Sequence, residues 1–216
     1  MATLTLCELL QYHQKETKFN NYIRFTTENS TKKADFLASI PKKYHNKILF
    51  QEINTPEVQD SSQIIIINKS KEARTYLPAL CICMAEDTGI DFNKHSPVEV
   101  AYPGFSTKLV ITNFKNKLHL LAELHGTNKI FYHCSMAIRW GNDPDKVICV
   151  EGVTEGTFVP STEGEGLIDR QFVPDGQSRT IAQMSPEERQ EHHPRFKLMR
   201  KVLEILEENG LEADDE

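Results

Sequence analysis

The sequence PALCICMAEDTG, at residues 78–89, joins an apolar run to two adjacent carboxylates. Residues 78–85 are nearly all apolar, which is typical of a strand that is covered on both faces of a sheet. Glu86 and Asp87 follow at once, and burying carboxylates is costly unless cations or hydrogen-bond donors offset their desolvation. We therefore expect a central strand that ends in a divalent-metal or general-base site, with Mg²⁺ favoured by the hard oxygen ligands. A helix cap or a surface turn is the alternative interpretation.

Two shorter strands are predicted upstream, at residues 22–27 and 47–53, and each is followed by polar residues and a helix. The turn after the first strand lacks a glycine-rich loop, but it has the layout that presents backbone N–H groups and a lysine to phosphate. The helix after the second strand is expected to begin at Ser61 or Ser62 and to run to Tyr76.

The middle of the chain predicts a helix followed by a hairpin. The helix is expected at residues 114–125 and ends at Gly126, and residues 130–140 and 146–153 have the pattern of paired strands. His133 alternates with apolar residues, so we expect a satisfied core or sheet histidine rather than a metal ligand. Together with the upstream alternation of strands and helices, this order predicts an α/β fold with a mixed sheet.

A turn-rich stretch is expected from Glu155 onward, and the chain then closes with a strand and a charged helix. Residues 172–176 (FVPDG) predict a short strand that runs into a tight turn, because Pro fixes φ and Asp-Gly favours turns. Ser185 followed by Pro186 predicts a helix start, and residues 192–201 supply a dense set of histidines, arginines and lysines. This segment suits the binding of an anion, and a solvated surface helix is the alternative.

Composition argues against several classes of protein. The 216 residues suffice for one domain with a sizeable core, and a net charge of −6 disfavours broad nucleic-acid binding. The sequence shows neither a membrane-length apolar run nor a secretory signal, and its five irregularly spaced cysteines indicate reduced thiols in a cytoplasmic protein rather than a structural zinc site. We expect residues 1–20 to be an extension of unknown role, residues 21–207 the functional domain, and residues 208–216 a frayed acidic tail.

Seven motifs follow one another from Tyr22 to Leu206 in the order and near the spacing of one family. In family notation they are T-G-N-x-x-K at 27–32, L-P-E-x-Q-G at 54–60, E-K-x-x-x-A at 68–73, E/D-D-S/T-G at 86–89, P-G with a lysine four residues on at 103–108, D-P-x-F-x-P-x-G at 169–176, and T-x-A-x-M-S-x-E-E-K-N-x-x-S-H-R at 180–195. The chain thereby resembles the inosine triphosphate pyrophosphatase family, whose members hydrolyse non-standard purine nucleoside triphosphates.

The resemblance implies a two-lobed α/β fold on a long central mixed β-sheet, with the active site in a cleft between the lobes, usually in a homodimer. It implies Mg²⁺-dependent hydrolysis of ITP, dITP or XTP to a nucleoside monophosphate and pyrophosphate, without a nucleic-acid or membrane partner. It assigns metal binding to Glu57 and Asp87, and catalysis to Asp87 as general base with Glu86 and Lys32. The implied substrate-binding residues are Thr27, Asn29, Lys32, Lys69, Thr88, Gly89, Lys108, Asp169, Arg189, His193 and Arg195.

The sequence departs from the family pattern around the phosphate turn and the base pocket. Glu28 replaces the glycine of T-G-N, and Gly166 and Ile168 replace an aromatic pair that stacks on the base. Arg189 replaces the lysine of E-K-N, and S-H-R is His193-Pro194-Arg195. These departures predict preserved hydrolysis with altered base selectivity. The alternative is a catalytically weak or inactive member of the family that binds a nucleotide or a partner protein.

Overall fold

A computed structural model describes six segments of the chain. They are residues 23–53, 60–77, 81–99, 101–104, 107–139 and 146–208. The predicted extension at residues 1–20, the motif turn that contains Glu57, and all but the first residue of the predicted acidic tail lie outside the described residues. Within the described segments, no helix is long and apolar enough to cross a membrane.

A six-stranded mixed sheet forms the centre of the molecule. Its strands are β1 (Ile23–Thr26), β2 (Ile48–Gln51), β3 (Ile82–Phe92), β4 (Ile130–Arg139), β5 (Val147–Phe158) and β6 (Phe172–Pro174). The spatial order is β2-β1-β3-β4-β5-β6. β1 pairs in parallel with β2 and β3, whereas β3 to β6 pair in antiparallel fashion. The predicted α/β fold with a mixed sheet, including the hairpin of β4 and β5, is confirmed.

Helices cover both faces of this sheet. They are α1 (Ser30–Ser39), α2 (Ser62–Thr75), α3 (Thr107–Phe114), α4 (Leu118–Leu124), α5 (Pro186–His192) and α6 (Pro194–Glu208), with short 3-10 turns at Lys42–Lys47 and Ile181–Gln183. Ser61 and Ser185 occupy the N-cap positions of α2 and α5, as predicted, but only the Ser185 side chain accepts a capping hydrogen bond. At α5 the cap is a capping box, in which the Ser185 and Glu188 side chains accept hydrogen bonds from each other's backbone N–H groups.

β3 is the central strand and is longer than the sequence predicts. Its first half is buried on both faces, since Cys83, Met84 and Ala85 are at most 2% exposed. The predicted end at Ala85 was wrong, because the strand continues through the acidic motif to Phe92 and pairs with β4 along this whole length. Apolar side chains resume at Ile90, so the carboxylates interrupt a strand and do not terminate it.

Three other boundaries also differ from the prediction. Glu155 and Gly156 were expected in a turn-rich stretch, but they lie within β5 and pair with β4 and β6. The helix predicted at residues 114–125 is divided, because α3 ends at Phe114 and α4 begins at Leu118. Its end at Gly126 is confirmed, with a left-handed φ of 64°. The last helix is also divided, because Pro194 begins α6 after an extended His193.

Two hydrophobic cores lie along the same face of the long strands and give the molecule its two lobes. The first packs α1 and α6 against β1 and the beginning of β3 around Phe25, Phe36 and Met199. The second surrounds Ile90 and Phe172 and includes residues of α3 and α4. Between them, β3 carries the acidic motif at residues 86–89. The charged motif therefore lies at the junction of the two lobes.

Gly152 allows α6 to pack directly on β5. A Cβ at this position would lie 2.1 Å from the carbonyl oxygen of Pro194 and 2.5 Å from the backbone nitrogen of Leu198. We expect Gly152→Ala to lower the free energy of unfolding by about 3 kcal/mol or more, because backbone has to move. Gly176→Ala is the matched control, since Gly176 has open space but a φ of 78°, and it should cost only about 1 kcal/mol. Urea denaturation measures both, and equal losses would contradict the packing argument.

Candidate active site

The edge of β3 that faces β1 is open at the acidic motif. β1 pairs with β3 only as far as Thr26 and Ala85, where the chain turns away into α1. On the same edge, the next backbone pairing seen in the described segments is the bridge between Asp91 and Pro103. We call the edge of residues 86–90 between these two pairings the notch. A ligand in the notch has access to side chains on both faces of the sheet.

Alternation along β3 places Glu86 and Asp87 on opposite faces of the notch. Glu86 points to the face covered by α1 and α6 and is 5% exposed. It forms an ion pair with Lys32 of α1 and a second one with Arg195 of α6, whose Nε lies 3.3 Å from Oε1. The Thr88 hydroxyl donates to the same Oε1 atom at 2.8 Å. The carboxylate is thus held by two helices and its own strand.

These contacts keep Glu86 ionised although it is buried. Burial opposes the charged form, but the nearby charges of Lys32 and Arg195 outweigh it and hold the pKa of the Glu86 carboxyl well below its ordinary value. Glu86 is therefore a fixed negative charge at neutral pH rather than a proton carrier.

The start of α1 positions the first lysine. Asn29 is the N-cap, and its side-chain oxygen accepts a hydrogen bond of 3.1 Å from the backbone N–H of Lys32. Lys32 and Asp35 are three residues apart and lie on the same side of the helix. Asp35 forms an ion pair with Arg195, so α1 contributes both a cation and an anion to the site.

Asp87 points to the other face, which is covered by α2. Lys69 of α2 donates a hydrogen bond of 2.6 Å to Asp87 Oδ1, and both side chains are partly exposed. Asp87 and the hydroxyl-bearing Ser61 and Ser62 line a small pocket of about 10 Å³ that continues to Asp91 and His133. The Asp87 carboxylate is the one acid of the motif with open space in front of it.

A larger cleft of about 440 Å³ lies between the lobes, on the Glu86 side. Its lining residues come from α1, from the segment before β6 and from α5: Ser30, Thr31, Ala34, Asp35, Glu165, Gly166, Asp169 and Arg189. Arg189 Nη2 lies 3.2 Å from Asp169 and 3.7 Å from Asp35. The cleft therefore joins the N-terminus of α1 to the segment in which the sequence predicts the base pocket.

Asp169 is anchored from below by buried polar groups. The Tyr132 hydroxyl donates to Asp169 Oδ1 at 3.0 Å, and His193 Nε2 lies 3.5 Å from the same atom. Burial alone raises the pKa of Asp169, but His193, followed by Arg189 and the Tyr132 hydroxyl, lowers it to about 2. Asp169 is thus a rigid anion at the wall of the cleft.

The break between α5 and α6 sets the orientation of His193 and Arg195. His193 is extended and fully buried, and its Nδ1 atom accepts a hydrogen bond of 3.0 Å from the Arg195 backbone N–H. The other ring nitrogen, Nε2, faces Asp169 and the Tyr132 hydroxyl. Arg195 is 5% exposed and reaches across to Glu86 and Asp35. Both residues lie behind the cleft wall.

The structure does not bring every predicted residue into these two pockets. Thr27 accepts a hydrogen bond from the Asn29 backbone at 3.2 Å in the turn before α1, and Glu28 is exposed there. Lys108 is exposed in the first turn of α3. Gly89 lies in the notch beside Asp87 and lines the same small pocket. Glu57 lies outside the described residues.

Two site residues were missed by sequence reasoning. Asp35 pairs with Arg195 and lines the cleft, and its position one turn after Lys32 on a predicted helix was the available signal. Tyr132 supports Asp169 from a strand 37 residues earlier in the chain. No local sequence pattern indicates such a contact, because Tyr132 has the same pattern of apolar neighbours as any core position.

A family comparison identifies the family to which the chain belongs. A sequence model of the Ham1 family matches residues 23–205, which include every described strand and nearly all of the described helices. The chain belongs to the Ham1 family. This confirms the family predicted from the seven motifs, and the prediction of a nucleoside triphosphate pyrophosphatase is confirmed at the level of the family.

Solved Ham1 structures share the fold. A HAM1 protein from Coxiella burnetii superposes with a TM-score of 0.67 at 18% identity, over 86% of this chain and 99% of that one. The Ham1 protein of Staphylococcus aureus gives 0.59 at 15% identity, over 86% and 98%. A nucleoside-triphosphatase (dITP/XTP pyrophosphatase) of Mycobacterium abscessus gives 0.59 at 20% identity, over 86% and 99%. At such identities the likeness extends to the fold alone.

The depressed pKa of Asp169 predicts a specific pH dependence of stability. A carboxyl whose pKa falls from 3.8 to about 2 on folding contributes about 2 kcal/mol above pH 4, and this contribution is lost as the pH falls toward 2. We expect Asp169→Asn to be less stable than wild type at neutral pH and the difference to shrink below pH 4. Urea denaturation at a series of pH values measures it. Glu204→Gln, on the exposed face of α6, is the control, and a difference that is constant with pH would contradict the assignment.

Proposed function

We propose that this Ham1 protein hydrolyses non-standard purine nucleoside triphosphates, such as ITP, dITP and XTP, to a nucleoside monophosphate and pyrophosphate in a Mg²⁺-dependent reaction. The observation that carries the proposal is the notch, where Asp87 meets Lys69 on one face and Glu86 meets Lys32 on the other. A triphosphate that enters the notch finds a carboxylate with open space beside the cations needed to hold its phosphates.

The phosphates are proposed to bind where β1 runs into α1. The N-terminus of a helix presents backbone N–H groups and a partial positive charge, and Lys32 lies in its first turn. Lys69 approaches the notch from the other face. Thr27 and Asn29 shape the turn, while Thr88 and Arg195 hold Glu86 in place behind it. Lys108 is proposed to add positive charge from α3.

Asp87 is the proposed general base, because its carboxylate is partly exposed and accepts a hydrogen bond that fixes its direction. The donor set around it suits a hard cation: Asp87 and the hydroxyls of Ser61 and Ser62 are oxygen groups that line one pocket. Asp87, together with Glu57, would hold Mg²⁺, which neutralises phosphate charge and lowers the pKa of water. Buried Glu86 is proposed to position Lys32 and Arg195.

The cleft beside Asp169 and Arg189 is the proposed base pocket. Arg189 is partly exposed and faces the cleft, whereas His193 acts by orienting Asp169 from behind. Gly166 stands at the position of the family's stacking aromatic. Its φ of 81° is a backbone conformation that only glycine adopts without strain. The cleft lacks a ring at this position, which favours broader base selectivity. Homodimerisation and a cytoplasmic location stay predictions from the resemblance.

Replacement of the proposed base tests the reaction. We expect Asp87→Asn to reduce pyrophosphate release from ITP and XTP by at least about 100-fold, because general-base catalysis contributes on this order. The assay is Mg²⁺-dependent pyrophosphate release across a panel of standard and non-standard triphosphates. Glu204→Gln, on the exposed face of α6 and outside the lining of both pockets, is the control. Wild-type turnover in Asp87→Asn would refute the assignment, and nucleotide binding by calorimetry without any turnover in wild type would establish the inactive alternative.

Glu28 tests how the phosphate turn tolerates a carboxylate. Because this exposed anion stands two residues before the first turn of α1, we expect Glu28→Gly to lower KM for triphosphates several-fold at low ionic strength and to have less effect at high salt. The removal of like-charge repulsion affects binding more than kcat. Steady-state kinetics at two salt concentrations measure it, with Glu204→Gln as the control for net charge. A change confined to kcat would contradict the electrostatic explanation.

A further inference from the structure

A second polar cluster lies on the Asp87 face of the sheet, beyond the notch. Asp91 on β3 and His133 on β4 contribute two of its side chains. The third is His95, which follows β3 and comes close to Asp91 after the chain turns at Asn93, whose φ is 63°. One ligand atom from each of Asp91, His95 and His133 lies within 4.8 Å of the others. The family motifs include none of these three residues.

His133 is the member that the fold itself leaves unsatisfied. It is 4% exposed, and neither ring nitrogen has a hydrogen-bond partner among the described residues. The predicted position of His133 in the buried sheet is confirmed, but the prediction that its ring is satisfied was wrong. Gly89 pairs with His133 across the strands, and a Cβ at Gly89 would lie 2.4 Å from the imidazole. The glycine thus lets the ring pack against the backbone of β3, next to the small pocket that His133 and Asp91 line.

We propose that Asp91, His95 and His133 form a binding site for a divalent transition-metal ion of the Zn²⁺ class. Two imidazoles and one carboxylate are a donor set that Zn²⁺ accepts, whereas Mg²⁺ prefers oxygen ligands alone. Its donor set differs from the oxygen set around Asp87, although both line the same small pocket, and the inference does not depend on the proposed hydrolase activity.

The distances support one shared ion. Bonds of 2.0–2.1 Å at tetrahedral angles separate two ligand atoms by about 3.4 Å. His133 Nε2 lies 3.5 Å from Asp91 Oδ2, which is close to the separation that a shared ion requires. His95 Nδ1 is hydrogen-bonded to the same oxygen at 2.7 Å. It would become the third ligand if this distance lengthened to the separation that a shared ion requires.

Groups behind the cluster complete the arrangement. A metal-bound histidine usually donates its second N–H to a carboxylate, which fixes the ring and its tautomer. His95 has this partner, because its Nε2 lies 2.8 Å from Glu151 Oε2. Glu151 is held in turn by the Ser135 hydroxyl, which donates to Oε1 at 2.9 Å. β3, β4 and β5 would thus be joined by one ion beside the second lobe.

Metal titration of the full-length protein tests this inference. We expect the chelator-treated wild type to bind one equivalent of Zn²⁺ by calorimetry in the presence of excess MgCl₂, and to melt at a higher temperature with ZnCl₂. Glu151→Gln should weaken binding by about 10- to 100-fold, and Asp91→Asn, His95→Gln and His133→Asn by at least as much. Exposed His125→Gln is the matched control and should bind as wild type does.

Co²⁺ spectroscopy of the wild type gives a second measurement that needs no variant to fold. We expect visible d–d bands of a four-coordinate ion without the near-ultraviolet band of thiolate ligands. Three results would overturn the inference: no Zn²⁺ binding by wild type, a thiolate spectrum, or undiminished affinity in both His95→Gln and His133→Asn. The first result would mean that the small pocket holds only water.

Discussion

The structure depends on the alternation of side chains along β3. Because Glu86 and Asp87 are adjacent in a strand, they must face opposite sides of the sheet, and each carboxylate needs its own cation. α1 and α6 supply Lys32 and Arg195 on one face, and α2 supplies Lys69 on the other. Removing one partner would leave an uncompensated buried charge. The acidic motif therefore fixes the positions of three helices that come from distant parts of the chain.

The notch follows from the shortness of β1. Asn29 caps α1 three residues after β1 ends, so the chain leaves the sheet while β3 continues for seven more residues. On this edge the Ile90 backbone pairs with the Thr107 hydroxyl, and the backbone groups at the acidic motif are available to solvent or to a ligand, because buried peptide groups do not stay unpaired. β4 and β5 are long enough to support β3 from its other edge. The open edge thus belongs to a strand that is rigid, which is the combination that a binding site requires.

The structural features that depend on a few neighbouring residues were predicted correctly from the sequence. These features are the N-cap positions of Ser61 and Ser185, the buried run before Glu86 and the hairpin of β4 and β5. The end of β3 was predicted wrongly, because the carboxylates within this strand are stabilised by helices that are far away in the sequence. The same limit applies to the support of Asp169 by Tyr132 and to the unsatisfied imidazole of His133. The motif resemblance assigned candidate site residues to the acidic motif, but it did not indicate that the two carboxylates lie on opposite faces of the sheet.

Charge balance at the candidate site gives a physical reason for the divalent cation in the proposed reaction. The ion pairs connect four cations, Lys32, Lys69, Arg189 and Arg195, with four carboxylates, Asp35, Glu86, Asp87 and Asp169, so the local net charge is zero. A triphosphate brings several further negative charges. The lysines can bind the phosphates only if their ion pairs with the carboxylates are weakened. For buried Glu86, the loss of its cations would carry a large desolvation cost. Added positive charge at Asp87 removes this conflict, because it frees Lys69 for phosphate while Lys32 and Arg195 remain with Glu86.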